Sequence, residues 1–489
     1  QAHHIKGLIL HRLGRLPEAV RSIERALSMM PENASAHANL GRIQAESGNL
    51  AEAEACFRAA LERDATVAAD HAALGNCLRL MGRLDEASQA CSRALALTPH
   101  DPLANLNMGA VHFEQGDTGA AIDRFRQAVQ SNARFLEGWI NLGSALLADS
   151  RHEDALAAFR RAQELAPTDA KVTFKLGVAE AGIGDVPAAV ATLDRAHALN
   201  PDMFEARWNA ALLLPRLYES ADHIAACREE WRRRMTAIEE SLDLRTPEKI
   251  DAAIDAIKTI TNFNLHYQGY DDRPLQELYG RIVNRIAAAR YPDLATRPEP
   301  RDRQGRRRVG FVSAFLYRHS IFKTHGAWIT GLPDAFEKYV YYFGTVQDSS
   351  VETLRREADF FFDIDTPEDF IAAAREHKLD ALIYLDLGMA PAIQLPAALW
   401  LAPVQCNALG HPITSGLSTI THVLTSGLME PPEATLHYSE TMVPLPGTSH
   451  CYNLAPLQER IAGIAVPARD DARVRFLCSQ NLQKYLPQY

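Results

Sequence analysis

The 489-residue sequence lacks several features by which a class of protein is usually recognised. Its seven cysteines are scattered and form no CxxC pair, which indicates reduced thiols and no disulfide framework. No apolar run is long enough to span a membrane, and we expect no signal peptide. The net charge of −10 provides no overall basic field for nucleic acid. We therefore expect a cytoplasmic protein that binds neither membranes nor nucleic acid.

Metal and phosphate motifs are missing as well. The sequence contains no HExxH pair, no clustered Cys and His, no GxGxxG and no Walker loop, and it therefore predicts no metal and no cofactor. Hydrophobic residues make up 47% and charged residues 23%, which is typical of a folded protein with an ample core. At this length we expect roughly three units of about 150 residues.

Residues 1–215 contain a strong internal repeat of 34 residues. Two glycines and one alanine keep this period, and Ser150 occupies the one gap in the second glycine series. The series are Gly7, Gly41, Gly75, Gly109, Gly143 and Gly177; Gly14, Gly48, Gly82, Gly116 and Gly184; and Ala19, Ala53, Ala87, Ala121, Ala155 and Ala189. Small residues at this period are the tetratricopeptide pattern, which predicts about six repeats and a degenerate seventh in a helical superhelix. Because the sequence begins with Gln inside a repeat, we expect residue 1 to be a fragment edge.

An asparagine recurs at one position of the repeat, as Asn39, Asn107, Asn141 and Asn209. Asparagine is a mediocre helix former, but its amide can both donate to and accept from a peptide backbone. We therefore predict that these side chains bind an acceptor polypeptide on the concave face of the superhelix. The alternative is a solvated helix position, or one that joins neighbouring repeats.

Residues 216–305 are predicted to form a helical connector. Amphipathic, charge-rich patterns predict helices over 222–242, 247–258 and 274–289. The arginines that follow Pro298 and Pro300 could contact phosphate, although a solvated linker is the simpler interpretation.

From residue 306 the pattern changes to short apolar runs with helical segments between them. The clearest helix has Thr366 as its N-cap and Pro367 at its first position, and it extends to Lys378. The predicted strands are 307–312, 339–344, 381–387, 404–410, 422–426 and 474–478. This alternation predicts an α/β domain with a parallel sheet and helices on both faces.

Polar loops follow several of these strands. If the strands are parallel, the loops share one edge of the sheet and form a cleft. Its hydroxyls, backbone N–H groups, imidazoles and one lysine suit an anionic ligand, with imidazole available for proton transfer. Asp386 is interpreted as a structural residue of a loop, and His325, His422 and His437 receive no role.

Five segments resemble the O-GlcNAc transferase and SPINDLY family of glycosyltransferases in order and spacing, and most closely its bacterial SPINDLY-like branch. They are RVGFVSAFLYRHS, LIYLDLG, LAPVQCNALGHPITSG, SGLMEPPEATLHYSE and RFLCSQNLQKYLPQ. The resemblance implies a tetratricopeptide superhelix followed by a truncated GT-B fold. Residues 306–473 would be its N-terminal Rossmann-like half, and residues 474–489 the start of its nucleotide-binding half. Because most of that second half does not follow, we expect the chain alone to be inactive.

The resemblance implies a metal-independent, inverting transfer of a sugar to Ser or Thr of polypeptides held by the repeats, with UDP-GlcNAc as the expected donor. It implies that His319 lines the active site as a candidate base and that Lys484 stabilises the leaving diphosphate, since a fixed cation is needed where no metal serves. The donor-binding residues that it implies are His411, Pro412, Thr414, Ser415, Gly416, Gln480, Asn481 and Gln483.

Three positions depart from the family pattern. Ile413 replaces a common Gly, and Phe315 and Gly427 stand where many members have Asp. These departures leave the sugar open, so that an O-fucosyltransferase using GDP-fucose is an alternative, and the acceptor could be Asn. A further alternative is a tetratricopeptide scaffold with an incomplete or inactive transferase domain.

Overall fold

The computed structural model describes residues 1–300, 305–408, 410–411 and 413–447. The chain divides into two compact units, the first comprising Gln1–Leu199 and the second beginning at Asn200.

The first unit consists of helix pairs, one pair for each 34-residue repeat. Its helices are α1 (Ala2–Arg12), α2 (Leu16–Met29), α3 (Ala34–Glu46), α4 (Leu50–Arg63), α5 (Ala68–Leu80), α6 (Leu84–Leu97), α7 (Pro102–Glu114), α8 (Thr118–Ser131), α9 (Leu136–Ala148), α10 (His152–Leu165), α11 (Ala170–Gly182) and α12 (Val186–Leu199).

The periodic small residues lie where the two helices of a pair cross. A Cβ atom on Gly41 would lie 2.9 Å from the ring of Phe57, and one on Gly109 would lie 2.6 Å from the ring of Phe125. The alanines of the third series are completely buried. The glycines of the second series occupy the turns between the helices with positive φ, and Ser150 adopts the same left-handed conformation with a φ of 59°. The predicted tetratricopeptide architecture is therefore confirmed.

The second unit begins with four helices, α13 (Phe204–Leu212), α14 (Ala221–Ser241), α15 (Pro247–Ile257) and α16 (Arg273–Arg290). Short 3-10 turns at Phe263–Gln268 and Pro292–Leu294 accompany them. Trp208 of α13, Trp231 of α14 and Tyr279 of α16 are fully buried in one apolar cluster, together with residues from one face of the sheet. The three predicted helices of the connector correspond to α14, α15 and α16. The degenerate seventh repeat contains α13 and lies in the second unit.

A seven-stranded parallel sheet follows, in the order β3-β2-β1-β4-β5-β6-β7. Its strands are β1 (Arg307–Ser313), β2 (Phe336–Tyr342), β3 (Phe360–Asp363), β4 (Ala381–Tyr384), β5 (Val404–Ala408), β6 (His422–Ser426) and β7 (Thr441–Leu445). The helices between the strands are α17 (Ser320–Thr330), α18 (Ser349–Glu357), α19 (Pro367–His377) and α20 (Gln394–Ala397).

Both faces of this sheet are covered. Tyr339 and Tyr341 of β2 belong to the cluster that contains α13–α16, whereas Val340 and Tyr342 pack with Val351 of α18 on the other face. The predicted parallel α/β fold is therefore confirmed. The order of the strands reverses between β1 and β4, which is where open α/β sheets bind ligands.

The strand predictions differ from the structure at both edges of the sheet and at the ends of three inner strands. β3 and β7 were not predicted, and β2, β4 and β5 end earlier than predicted. The α19 prediction is confirmed, since the Thr366 hydroxyl accepts a hydrogen bond from the Asp369 N–H at 3.1 Å. The predicted strand 474–478 lies outside the described residues. Among the helices that the structure describes, none is long and apolar enough to cross a membrane.

Candidate active site

The loops after β1 and β4 are joined at the point where the strand order reverses. The backbone N–H of Ala314 donates to Oδ2 of Asp386 at 3.1 Å. Asp386 is completely buried, and burial raises the pKa of its carboxyl to about 7. This residue therefore holds two loops of the crevice together, in keeping with its predicted structural role.

His319 begins helix α17 in the same crevice. It is the N-cap of that helix, and its Nδ1 accepts a hydrogen bond from the backbone N–H of Ile321 at 3.3 Å. Its half-buried ring stacks on Phe315, with 4.8 Å between the ring centroids. The phenylalanine at this position thus orients the histidine predicted to act in catalysis.

The contacts of His319 also decide which nitrogen carries its proton. Burial, with the charge of Lys323 as a smaller cause, lowers the pKa of His319, so the neutral ring is favoured. A neutral imidazole whose Nδ1 accepts a hydrogen bond carries its proton on Nε2. Nε2 can act as a base only in the other tautomer, in which the cap contact, worth about 1 kcal/mol, is lost.

His411 lies in the interior of the second unit, below the surface of the crevice. Its ring is 2% exposed, stacks on Phe263 with 4.8 Å between centroids, and meets His266 edge-on. Burial, with the neighbouring His266 as a smaller cause, lowers the pKa of His411 to about 3. The imidazole is therefore neutral at physiological pH.

Thr414 and Ser415 both bind the carboxylate of Glu440. The Thr414 hydroxyl donates to Glu440 Oε2 at 2.6 Å, and the Ser415 N–H donates to Oε1 at 2.7 Å. The Ser415 hydroxyl donates to the same carboxylate. These two hydroxyls, predicted to bind the donor, thus hold a buried acid of the domain in the structure.

Gly416 lies directly against helix α16. Its φ is +68°, and a Cβ atom there would lie 2.0 Å from the carbonyl oxygen of Gln276. A Cβ atom on Gly280 would likewise lie 1.9 Å from the carbonyl oxygen of Gly416. The end of the loop is therefore positioned by backbone contact with α16, which requires glycine on both sides.

An open cleft of about 410 Å³ lies beside the loop, with Ile413 and Thr414 in its wall. Its other lining residues include the carboxylates of Asp271, Asp272 and Glu430 and the phenols of Tyr270 and Tyr438. Arg228 contacts Asp272 at 2.6 Å, yet burial outweighs this cation and raises the pKa of Asp272 to about 6. Carboxylates repel a diphosphate, so we assign no donor contact to this cleft.

The remaining predicted site residues of the α/β domain lie outside the described residues. These are Pro412, Gln480, Asn481, Gln483 and Lys484. Their roles stay predictions. Among the residues that are described, no group of three or more His, Cys, Asp and Glu side chains could hold a metal ion.

The four repeated asparagines have different surroundings. Asn107 donates to the backbone oxygen of Ala72 in the preceding repeat at 2.9 Å. Asn39 contacts His4 at 2.9 Å, and Asn209, in the second unit, donates to Thr259 at 3.0 Å. Asn141 makes no side-chain hydrogen bond within the described part of the chain. Asn107 and Asn141 line one cleft formed by α5, α7 and α9.

Two residues that position the candidate site were not predicted from the sequence. Glu440 is the shared acceptor of Thr414 and Ser415, and Gly280 permits the approach of Gly416 to α16. No local pattern marks either residue, because each acts on a loop distant in the chain. Glu440 does end one of the segments that carry the family resemblance, which was the available signal.

Comparison with known proteins supports the repeats directly. Models of the tetratricopeptide repeat match residues 6–70, 65–132 and 106–170. The repeats are shared with proteins of other functions: a peroxisomal targeting signal receptor of Kluyveromyces lactis is 31% identical over 91 residues, covering 19% of this chain and 16% of the receptor.

Several curated relatives are SPINDLY proteins of plants, each named as a probable UDP-N-acetylglucosamine–peptide N-acetylglucosaminyltransferase. The protein of Oryza sativa subsp. japonica is 27% identical over 230 residues, covering 45% of this chain and 24% of the relative. The protein of Arabidopsis thaliana is 29% identical over 186 residues, covering 37% and 20%. The matched part of the chain thus spans a quarter or less of these relatives.

Among solved structures, a lysine-to-methionine mutant of the Thermobaculum terrenum O-GlcNAc transferase is similar with a TM-score of 0.45 and 21% identity. That similarity covers 71% of this chain and 58% of the transferase. The chain therefore combines tetratricopeptide repeats with a parallel α/β domain, and its distant homologues include SPINDLY proteins of plants.

Proposed function

We propose that this chain is part of a protein O-glycosyltransferase. In this proposal the repeats hold a polypeptide, and the α/β domain transfers a sugar from a nucleotide diphosphate sugar to a Ser or Thr hydroxyl. UDP-GlcNAc is the proposed donor, because the names of the plant relatives specify that donor for those proteins. The reaction inverts the anomeric centre and proceeds without a metal, as in the transferases that the sequence resembles.

The observation that carries the proposal is the arrangement at the carboxyl edge of the sheet. His319 follows β1, and the loop containing His411 and Gly416 follows β5. Because both strands belong to one parallel sheet, their carboxyl ends lie at the same edge, beside the reversal of strand order. This edge is where a nucleotide ligand would bind.

The proposed chemistry needs one proton acceptor and one cation. As the acceptor hydroxyl oxygen bonds to the anomeric carbon, the bond from that carbon to the diphosphate breaks and the hydroxyl proton leaves. His319 is the proposed acceptor of the proton, in the tautomer that gives up its contact with the Ile321 N–H. Lys484 is the proposed cation that stabilises the departing diphosphate.

A second candidate is a polypeptide-binding scaffold whose α/β domain does not transfer sugar. The observation that favours it is that side chains of the loop after β5 already contact other residues of the domain. Thr414 and Ser415 bind Glu440, and His411 is buried, so these three side chains are committed to internal contacts. Donor binding by these groups would require the loop to rearrange.

Intact-mass spectrometry separates the candidates. The full-length protein, including the sequence that would complete the nucleotide-binding half, is incubated with acceptor proteins and either UDP-GlcNAc or GDP-fucose. An increment with one donor, absent in Lys484→Met, supports transfer and identifies the sugar. A folded protein that binds polypeptide but gives no increment with either donor supports the scaffold.

A further inference from the structure

A small cavity lies under the loop after β5, within the second unit. Four segments of the chain line it: the stretch around Asn262, helix α16, the loop from Leu387 to α20, and β5 with the loop that follows it. The cavity is separate from the carboxylate-lined cleft, but Ile413 and Thr414 line both. These two residues form the wall between them.

Three side chains of this cavity each have one polar atom without a hydrogen-bond partner among the described residues. The atoms are Nε2 of Gln394, Oδ1 of Asn407 and Nε2 of His411. All three side chains are at most 2% exposed.

Each of the three side chains is held in place by another contact. Gln394 Oε1 accepts from the Tyr279 hydroxyl at 3.4 Å, and Asn407 Nδ2 donates to the Ile413 carbonyl at 3.2 Å. The His411 ring is clamped by its stack on Phe263. The side chains are therefore fixed with complementary polar atoms left over in one cavity.

The unpaired atoms identify the chemistry of what binds there. Gln394 Nε2 can only donate, Asn407 Oδ1 can only accept, and His411 Nε2 does either according to its tautomer. A buried group of this kind destabilises the fold when it is left without a hydrogen-bond partner. An anion would leave the acceptor unpaired and a cation would leave the donor unpaired, whereas a hydroxyl oxygen satisfies both.

We propose that this cavity is a binding site for one hydroxyl oxygen, held by Gln394, Asn407 and His411. Its free space is on the scale of a single water molecule, which excludes a larger ligand in the observed conformation. The site links α20, β5 and the loop after β5, and so positions the loop from His411 to Gly416. His411 is then a positioning residue. The inference does not depend on the proposed function.

The oxygen has two possible sources, which crystallography of the full chain distinguishes. Water gives a density peak within about 2.6–3.2 Å of all three atoms in crystals grown without ligand. A ligand hydroxyl replaces that peak in crystals grown with UDP-GlcNAc, after movement of Ile413. Either outcome supports the site. Crystals of both kinds with no oxygen bound to these atoms would overturn it.

One variant and one control test whether Gln394 holds the oxygen. Gln394→Met removes the donor at similar volume, and we expect reduced occupancy of the oxygen and a thermal midpoint lower by about 2–4 °C. The control is His437→Phe in the neighbouring cleft, where a half-exposed histidine faces Asp271 and the oxygen should remain unchanged. An oxygen at full occupancy in Gln394→Met would show that Gln394 is not a ligand.

Discussion

Asp386 illustrates how a single buried residue couples the stability of the crevice to pH. The Ala314 N–H donates to Oδ2 of the Asp386 carboxyl, whereas Oδ1 has no hydrogen-bond partner among the described residues. A carboxyl in this position is more stable protonated than ionised, which is why its pKa is raised to about 7 by burial.

The sign of the pH effect follows from this shift. Since the folded pKa of Asp386 lies above the unfolded value of about 3.9, the folded state binds more protons between them, and stability falls as pH rises from about 4 to about 7. Asp386→Asn mimics the neutral acid. We expect this variant to reduce the fall in the free energy of unfolding with rising pH by about 2–4 kcal/mol. Denaturant unfolding of both proteins at about pH 5 and about pH 8 measures it. Asp272 titrates in both proteins, so equal slopes would refute the assignment to Asp386.

Gly416 is a residue for which geometry permits no side chain. We expect Gly416→Ala to lower the free energy of unfolding by more than about 2 kcal/mol, because a Cβ atom would overlap the backbone of α16 at a positive φ. Gly447→Ala is the matched control, with a φ of +67° and no atom of the described residues within 4 Å of the Cβ position. Equal losses in the two variants, measured by denaturant unfolding, would mean that α16 moves freely away from the loop.

Two variants distinguish the capping role of His319 from its proposed catalytic role. His319→Asn keeps a capping side chain, whereas His319→Ala loses it and should cost about 1 kcal/mol of stability. If the imidazole transfers the proton, both variants of the full-length protein should lose about 10²–10⁴-fold in transfer rate. Thermal unfolding and the mass assay give the two values. A transfer rate retained in His319→Asn would limit the residue to capping.

At the scale of elements, the repeats illustrate how one position can serve different purposes along a superhelix. Asn107 uses its amide N–H to join neighbouring repeats, which was the alternative to polypeptide binding. Asn141 has no such contact in the described chain and lines the same cleft. The two asparagines therefore offer a direct comparison.

We expect Asn141→Ala to weaken polypeptide binding about fivefold, the value of one hydrogen bond, at unchanged thermal stability. Asn107→Ala should instead lower the free energy of unfolding by about 1 kcal/mol, because the buried bond to Ala72 is lost. Fluorescence anisotropy with an unfolded polypeptide and denaturant unfolding measure the two effects. Unchanged affinity in Asn141→Ala would argue against a ligand role at that position.

The strands at the two edges of the sheet explain the main errors of prediction. β3, with the sequence FFFD, has only half-buried or exposed residues, and β7 contains a proline. The apolar run of β3 is short, and that of β7 is interrupted by Pro444, so neither matches the longer apolar run of a central parallel strand such as β1 or β2. Edge strands form because a neighbouring strand offers its free backbone groups, and that neighbour is not visible in the local sequence.

At the scale of the whole molecule, the proposed transfer relies on protein cations in place of a metal. We therefore expect EDTA to leave the transfer rate of the full-length protein unchanged, since Lys484 would balance the charge of the diphosphate. The mass assay with and without EDTA, and with excess Mg²⁺ restored, measures this. If the rate falls with EDTA and returns with Mg²⁺, a metal ion rather than Lys484 is the main source of positive charge at the diphosphate.

The repeat architecture could be recognised from the sequence because its contacts are local and recur. Each glycine of the first series meets the second helix of its own pair, as Gly41 meets Phe57, so every repeat carries the same requirement at the same spacing. The parallel α/β domain was recognisable for a related reason, since alternating buried strands and amphipathic helices leave their own hydrophobic periods. The order of hydrophobic and polar residues along an element therefore shows which of its positions are buried.

The surroundings of the candidate site were decided by tertiary packing. The sequence placed His319 and the loop 411–416 after strands, but their contacts depend on distant segments: Glu440 binds Thr414, and Phe263 stacks on His411. Gly416 is held by α16, which belongs to the predicted connector. No periodic pattern encodes such pairs, because each is a single contact between segments that meet only when the domain folds. Hence residue order predicts which loops share an edge, whereas packing determines which atoms of those loops remain available to a ligand.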